Sequence, residues 1–272
     1  MKPRRGPNRD GLNEEVRRIW DANADWWDDR IGEGNALQRE LVEPATERLI
    51  GDIAGAEILD VACGAGRFAR RMAELGGSVV AFDFSERFIA RARERTAADV
   101  GNIDYHVIDA TDEEQLLSLG TNRFDVAVAT MALMDMSTLD PLVGALRTML
   151  KPEGRFVFSV LHPCFPPGEA GRFMEETTAD GRCATRTGVK VTRYLSPATT
   201  RGEGIVGQPE PQYYFHRPLS LLLRPAFEHG FVVDRIEEPA FQERAPQDVA
   251  SQWHRMSEIP PVLLVRMRIV RA

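Results

Sequence analysis

Cysteine is scarce in this chain of 272 residues, and its three copies stand far apart. An odd, unpatterned set of cysteines suits a reducing compartment rather than a disulfide framework. Long apolar runs are also missing, and none approaches the ~20 residues that a membrane-spanning helix needs. Residues Met1–Asp10 are rich in Pro, Gly and Arg without the apolar core of a secretory signal, so we expect a disordered start. These absences predict a cytoplasmic protein with no membrane segment.

Positive charge is not in excess either. The formal net charge is −7 and the sequence pI is about 5.4. Basic residues are interleaved with acids, as in Arg91–Arg95, which is typical of a solvated helix face. The chain is therefore predicted to have no nucleic-acid partner. Its length favours one α/β domain with appendages, as a monomer or a homodimer.

Strand-like and helix-like segments alternate through most of the chain. Strand-like runs such as Val126–Ala129 are apolar on both faces, as in a parallel sheet covered by helices. The alternation predicts a doubly wound sheet, whose ligands gather at the carboxyl ends of the strands. The predicted helices are Asn13–Asp29, Leu37–Gly51, Arg67–Leu75, Glu86–Ala98, Glu113–Leu119, Leu139–Leu150 and Leu219–Glu228, and the predicted strands are Glu57–Ala62, Ser78–Phe82, Asp104–Ile108, Phe124–Ala129, Arg155–Leu161, Phe231–Glu237 and Pro261–Val270.

The alternation breaks between Pro163 and Pro218, a segment rich in Gly, Pro and Thr. A structureless loop of that length is unusual in a compact domain. We therefore expect short strands there, at Val189–Leu195 and Gln212–His216, forming a cover over the active edge of the sheet.

The loop after the first predicted strand carries the most information. The strand ends at Asp60, and Gly64 and Gly66 in the following loop carry no Cβ that would keep a ligand from the backbone. The second strand ends at Asp83, where a carboxylate can accept hydrogen bonds from both hydroxyls of a ribose. The pattern predicts a nucleoside site.

Two nucleoside ligands fit this pattern. Residues Gly64–Ala69 satisfy the dinucleotide fingerprint, with Ala in the third glycine position. The acid at Asp60, however, disfavours a pyrophosphate and favours a cation. S-adenosylmethionine carries a sulfonium and an amino group, so it fits better than NAD.

At this point the chain resembles the class I S-adenosylmethionine-dependent methyltransferases, with a first motif of the ubiquinone/menaquinone-biosynthesis type. Asp60–Gly66 matches their first motif with Ala62 in place of a glycine, and we expect an ordinary backbone conformation at Ala62. The later motifs follow in the family's order, at Asp83, at Asp109, in Phe124–Ala129 and in Leu150–Phe158. The resemblance implies a Rossmann-like, mostly parallel seven-stranded sheet with an antiparallel C-terminal hairpin. It implies residues 1–35 as a disordered start and lid helix, and residues 36–272 as the methyltransferase domain with the cover at about 163–218.

The resemblance also implies how the cofactor is held. Asp83 would accept from the ribose hydroxyls, or else cap the helix that begins near Ser85. Asp109 would accept from the adenine amino group. Trp20 and Trp27 on the N-terminal helix could lie near the sulfonium, where an aromatic face is favourable, or could be core residues. The predicted cofactor residues are Asp60, Ala62, Gly64, Gly66, Asp83, Phe84, Asp109, Ala110, Met131, Trp20 and Trp27.

Two histidines are the candidate general bases. His162 follows the fifth strand, and His216 lies among aromatic residues in the cover. Met134, Tyr213 and Tyr214 are predicted to contact substrate. Asp135 stands where some related enzymes bind magnesium, but its partner ligands have no match, so no metal is expected.

The sequence therefore predicts an S-adenosylmethionine-dependent methyltransferase that acts on a small-molecule acceptor by in-line displacement. The alternatives are a cofactor-binding or scaffold protein without transfer activity, and an NAD-dependent oxidoreductase. The sequence does not identify the acceptor or the atom that is methylated.

Overall fold

Alternating strands and helices build one α/β fold in a computed structural model that describes residues 9–97, 100, 102–165, 170–179, 182–242 and 256–270. The helices are α1 Arg9–Ile31, α2 Glu43–Ile50, α3 Arg67–Glu74, α4 Glu86–Arg95, α5 Glu113–Leu117, α6 Asp140–Met149 and α7 Leu219–Glu228, with a π-helical turn at Leu37–Val42 and a 3₁₀ turn at Leu133–Asp135. The strands are β1 Glu57–Val61, β2 Ser78–Asp83, β3 Ile103–Val107, β4 Phe124–Thr130, β5 Leu150–Leu161, β6 Ala170–Ala179, β7 Arg182–Val191, β8 Ala198–Gly202, β9 Gln212–His216, β10 Phe231–Glu237 and β11 Val262–Ile269.

Seven strands form the central sheet in the order β10-β11-β5-β4-β1-β2-β3. The five strands from β5 to β3 are parallel, whereas β11 pairs antiparallel with both β5 and β10. This confirms the doubly wound sheet and the antiparallel C-terminal hairpin. Since β1 lies between β4 and β2, the loops after these three strands meet at one edge of the sheet.

Apolar side chains fill both faces of the sheet. One face packs against α2, α3 and α4 through residues such as Leu49, Met72 and Ile89. The other packs against α6 and α7 through Leu146 and Leu222. Because both faces are buried, the central strands are almost continuously apolar, and this made them recognisable in the sequence. No helix within the described ranges is long and apolar enough to cross a lipid bilayer.

The segment between β5 and α7 contains two hairpins, β6–β7 and β8–β9. The strand predicted at Gln212–His216 is confirmed, but the one predicted at Val189–Leu195 is wrong because β7 ends at Val191. Tyr194 turns away to other partners: its carbonyl accepts from His216 Nε2, and its hydroxyl accepts from the Leu219 amide. Gln208, in the loop between β8 and β9, is buried against Gln212.

Helix α1 lies across the carboxyl edge of the sheet and is held by charged contacts. The Asp28 carboxylate is fully buried between two arginines of α4, with Oδ2 2.6 Å from Arg91 Nε and Oδ1 2.5 Å from Arg95 Nε. Farther along the helix, Asn23 exchanges hydrogen bonds with the backbone of Glu210 in the β8–β9 loop. The helix is thus attached to both the sheet domain and the cover. The disordered start predicted at residues 1–10 lies outside the described residues except for Arg9 and Asp10, which begin α1.

The Asp28 contacts predict a measurable contribution to stability. Replacing Asp28 by Asn removes the buried carboxylate that Arg91 and Arg95 share and leaves them, among the described residues, only exposed acidic partners, which should cost roughly 1–3 kcal/mol. Thermal unfolding should then occur about 2–4 °C lower for each kcal/mol lost. Asp29→Asn is the matched control, because Asp29 also contacts Arg91 but its side chain is 70% exposed. Equal melting temperatures for the two variants would contradict this account of α1.

Candidate active site

A cavity of about 240 Å³ lies at the carboxyl edge of the sheet, beneath α1. Its walls come from the loops after β1 to β4, from α1 and from the turn before α2. Nine of the eleven predicted cofactor residues line it: Ala62, Gly64, Asp83, Phe84, Asp109, Ala110, Met131, Trp20 and Trp27. Asp60 and Gly66 are not in its wall. The fold thus brings the dispersed motif residues to one place.

The loop after β1 is held in a left-handed conformation at three positions. Gly64 and Gly66 have φ values of +54° and +72°, which glycine adopts freely. A Cβ on Gly66 would lie 2.4 Å from the Tyr105 hydroxyl, so this glycine is also required by close packing. Ala62 has φ = +53°, which corrects the expectation of an ordinary backbone there. Strain of this kind is found at binding sites, where the surrounding fold holds it in place.

Asp83 connects this loop to the second strand. Its Oδ2 accepts from the Gly64 amide at 3.0 Å, and its Oδ1 accepts from the Ser85 amide at 3.0 Å. The cap of α4 is Ser85, whose hydroxyl accepts from the Phe88 amide. Burial raises the pKa of Asp83 to about 6, against the effect of these amide donors. Each carboxylate oxygen retains a lone pair for a further donor.

Asp60 lies under the loop rather than beside the cavity. It is fully buried, and neither carboxyl oxygen has a hydrogen-bond partner within the part of the chain that the structure describes. Burial, together with the charge of Asp83, raises its pKa to about 8. The Gly64 amide donates to Asp83 rather than to Asp60.

Asp109 belongs to a chain of hydrogen bonds that joins α1 to the sheet. Its Oδ1 accepts from both the amide and the hydroxyl of Thr111, each at 2.8 Å. Asn13 of α1 donates to the Thr111 hydroxyl and accepts from Ser137, which follows β4. All four side chains line the cavity. The network ties the lid helix to the loops after β3 and β4.

Aromatic side chains form another part of the wall. Trp20 and Trp27 meet edge to face with ring centroids 5.3 Å apart, and Trp20 also contacts Phe88. The indole Nε1 of Trp27 is buried without a hydrogen-bond partner among the described residues. Trp26 points elsewhere and packs under Arg30. These contacts make Trp20 and Trp27 cavity residues, as their positions on the helix predicted.

Neither candidate histidine lies in this cavity. His162 and His216 line a smaller cavity of about 50 Å³ on the other side of the turn after β4. His162 accepts from the Cys164 amide through Nδ1, and its Nε2 lies 2.8 Å from Glu238, so both ring nitrogens are engaged. His216 Nε2 donates to the Tyr194 carbonyl at 2.7 Å. Neither histidine therefore faces the nucleoside motif residues, and their role as general bases stays a prediction.

The predicted substrate residues are also outside the large cavity. Met134 and Tyr214 line the smaller one. Tyr213, on β9, faces α1, where its hydroxyl donates to Glu15 at 3.0 Å. Within the described residues, the cover therefore contacts α1 and the turn after β4 without lining the main cavity.

Sequence reasoning considered Asp135 only as a metal ligand and did not place it in the cofactor or substrate set. It lines the main cavity, yet its Oδ1 is shielded from solvent and has no hydrogen-bond partner within the described ranges. Burial raises the pKa of Asp135 well above its ordinary value, and a hydrogen bond from Gln212 only partly opposes this. Its place directly after β4 was the signal available in the sequence.

Comparisons with known proteins agree with this geometry. A family model described as a methyltransferase domain matches residues 58–154. The fold resembles the crystal structure of an S-adenosylmethionine-dependent methyltransferase from Mesorhizobium loti, with 27% identity, a TM-score of 0.63, and coverage of 83% of this chain and 96% of that one. The glycopeptide N-methyltransferase MtfA, crystallised with S-adenosylmethionine, shares the fold at 18% identity and a TM-score of 0.55, with coverage of 85% of this chain and 93% of that one. Fold, loop and matches identify the chain as a class I S-adenosylmethionine-dependent methyltransferase.

Sequence relatives extend the comparison. An uncharacterized protein of Haemophilus influenzae is 24% identical over 245 residues, which cover 86% of this chain and 89% of the relative. A ubiquinone biosynthesis O-methyltransferase of Xanthomonas oryzae pv. oryzae is 30% identical over 142 residues, or 50% of this chain. That match covers 56% of the relative's own length, so the similarity is to part of that protein and not to the whole of it.

The backbone at Ala62 leads to a prediction about folding energy. A left-handed Ala costs roughly 1–2 kcal/mol, whereas Gly loses about 0.5–1 kcal/mol more entropy on folding. Ala62→Gly should therefore be neutral or stabilising by up to about 1 kcal/mol in chemical denaturation. Ala90→Gly, on the exposed face of α4, is the control and should lose about 1 kcal/mol. If both variants lose the same amount, the strain at Ala62 is absent.

The pKa of Asp60 predicts how stability changes with pH. Below about pH 4 the Asp60 carboxyl is neutral in both the folded and the unfolded protein, so it then does not lower the free energy of unfolding. As pH rises toward 8 the unfolded chain ionises while the folded chain does not, and stability is lost across this range. Asp60→Asn should therefore unfold at a higher temperature than wild type at pH 8, by at least about 2 °C, with a smaller difference at pH 5. The exposed Asp104→Asn variant should show no such trend; a parallel trend in both would refute the assignment.

Proposed function

We propose that this protein transfers a methyl group from S-adenosylmethionine to a small-molecule acceptor by in-line displacement. When bound, S-adenosylmethionine supplies an electrophilic methyl group on a sulfonium ion. The observation that carries the proposal is the composition of one cavity wall, which combines the nucleoside motif residues with the turn after β4. A shared cavity lets the protein align a donor and an acceptor, which is the main requirement of a displacement.

The cofactor residues fit S-adenosylmethionine. Asp83 has lone pairs left for the two ribose hydroxyls after its two amide contacts. Asp109 would accept from the adenine amino group, with the Ala110 amide beside it and Phe84 against the ring. A Cβ on Gly64 would have no neighbour closer than 4.0 Å, so the backbone there is open to a ligand. The faces of Trp20 and Trp27 would favour the sulfonium by about 0.5–2 kcal/mol.

The acceptor side would be the turn after β4 together with the first turns of α1. Its lining is mostly apolar, with Met131, Ala132 and Met136 on the sheet side and Val16 on α1. Such a wall suits a small, partly apolar acceptor. The ubiquinone biosynthesis O-methyltransferase among the relatives supports a small-molecule acceptor. We take residues 1–35 as lid and 36–272 as the catalytic domain with its cover.

Two alternatives compete with this function. A scaffold protein would have its acceptor side filled by side chains, whereas here the cavity continues along the turn after β4. An NAD-dependent oxidoreductase would place a pyrophosphate at the loop after β1, but the Gly64 amide in that loop already donates to the Asp83 carboxylate. Both observations support the methyltransferase. Cytoplasmic location and a monomer or homodimer remain predictions.

Titration calorimetry tests the proposal. S-adenosylhomocysteine should bind more tightly than NAD. Asp83→Asn should weaken it by at least tenfold, because charge-assisted hydrogen bonds of about 1.5–3 kcal/mol each are lost. Asp104→Asn, an exposed acid on β3, is the matched control and should bind like wild type.

Two outcomes would contradict the proposal. Tighter binding of NAD would favour the oxidoreductase. Normal binding by Asp83→Asn, with a melting temperature equal to that of wild type, would remove Asp83 from the ribose site.

A further inference from the structure

Asp135 is a buried acid that the fold does not explain. It ends the 3₁₀ turn Leu133–Asp135 after β4 and lines the main cavity. Its Oδ1 has neither solvent nor a hydrogen-bond partner in the described part of the chain, and the side chain of Gln212 on β9 lies within hydrogen-bonding reach of the carboxyl. A carboxyl in this state costs stability unless a donor or cation meets it.

The other acids of the cavity wall already have partners. Asp28 is held between two arginines, and Glu43 forms a two-pronged ion pair with Arg67 at 2.6 and 3.0 Å. Asp83 and Asp109 accept from neighbouring amides. Asp28 Oδ1 also lacks a hydrogen bond but lies 2.5 Å from Arg95 Nε. Asp135 is thus the wall acid whose buried oxygen has neither a hydrogen bond nor an ion pair, as far as the described residues extend.

The sheet order places Asp135 away from the nucleoside side. β4 and β2 flank β1 on opposite sides, and neighbouring strands lie about 4.8 Å apart, so the ends of β4 and β2 are separated by about 10 Å. Asp83 and Asp109 follow β2 and β3. Asp135 therefore belongs to the part of the cavity that the nucleoside leaves to the acceptor.

The surroundings of Asp135 limit what it can bind. Its neighbours on the wall, Ala132 and Met136, are apolar, and Tyr214 on β9 is the titratable group whose pKa is raised by burial and by the Asp135 charge. Burial raises the pKa of Asp135 itself, so the carboxyl is a stronger base than an exposed aspartate. A negatively charged acceptor group would be repelled here, whereas an O–H or N–H group would be stabilised.

Building on the proposed methyl transfer, we infer that Asp135 binds the nucleophile of the acceptor, an O–H or N–H group, and receives its proton. The new O–C or N–C bond forms as the sulfur–methyl bond breaks, and the electron pair of the broken bond stays on sulfur. The proton of the acceptor passes to the Asp135 carboxylate. An acceptor without such a proton gains nothing from this residue.

Probe binding to the enzyme saturated with S-adenosylhomocysteine tests the inference. The probes are p-cresol, benzylamine and anisole, which are similar in size and present O–H, N–H and neither, and binding is measured by ligand-detected NMR. At least one of the two donor probes should bind more tightly than anisole, and Asp135→Asn should weaken that probe at least tenfold while leaving anisole unchanged. The probe that responds tells whether the acceptor is a hydroxyl or an amine.

Matched readouts separate this inference from the proposed function. Asp140→Asn, an exposed acid at the start of α6, should bind every probe like wild type. Asp135→Asn should bind S-adenosylhomocysteine with the affinity of wild type. If the wild-type protein itself did not bind S-adenosylhomocysteine, the proposed methyltransferase function would be overturned.

The inference is wrong if neither donor probe binds better than anisole, or if Asp135→Asn weakens all three probes alike. The second result would mean that Asp135 only shapes the cavity.

Discussion

The hydrogen bond from the Gly64 amide to Asp83 is the contact on which the site depends. It fixes the loop after β1 against the end of β2. The backbone is left-handed at Ala62, Gly64 and Gly66, because the chain must turn sharply between β1 and α3. The Tyr105 hydroxyl closes the other side of Gly66. The loop is therefore held in its binding shape by the fold itself.

The lid depends on a different kind of contact. Helix α1 buries Val16, Ile19 and Ala24, but its links to the domain are largely ionic or polar, through Asp28, Asn23 and Asn13. These contacts differ in strength, because the Asp28 carboxylate is shielded from water between its two arginines whereas exposed polar contacts contribute little. Helix α1 is therefore held over the cavity by a few polar contacts, of which those at Asp28 are fully buried.

The fold was readable from the sequence because both faces of the sheet are buried, so strands such as β4 are continuous apolar runs. The cofactor residues were readable because they follow strand ends at fixed places in the chain. The hairpins of the cover could not be predicted in the same way, because β6 and β7 are largely exposed and lack such a run. Tyr194 lies outside a strand because it contacts His216 and Leu219, which are distant in sequence.

The roles of single polar residues were also hidden from the sequence. His162 was predicted to be a general base. Its Nε2 lies 2.8 Å from Glu238, a residue 76 positions away in the sequence, and this contact could not be predicted. The sequence suggested Asp135 only as a metal ligand whose partner ligands had no match. That its Oδ1 lacks a hydrogen-bond partner among the described residues is visible only in the structure.

Three acids with raised pKa values stand at one edge of the sheet: Asp60, Asp83 and Asp135. Each costs stability in the free protein, because burial disfavours its charge. A scaffold selected for stability alone would replace them with neutral side chains of similar size. Asp83 and Asp135 line the cavity, so a cation or a hydrogen-bond donor bound there favours their ionised form and offsets the penalty. For these two acids, the stability lost in the free protein is therefore recovered as affinity for positively charged or proton-donating ligands.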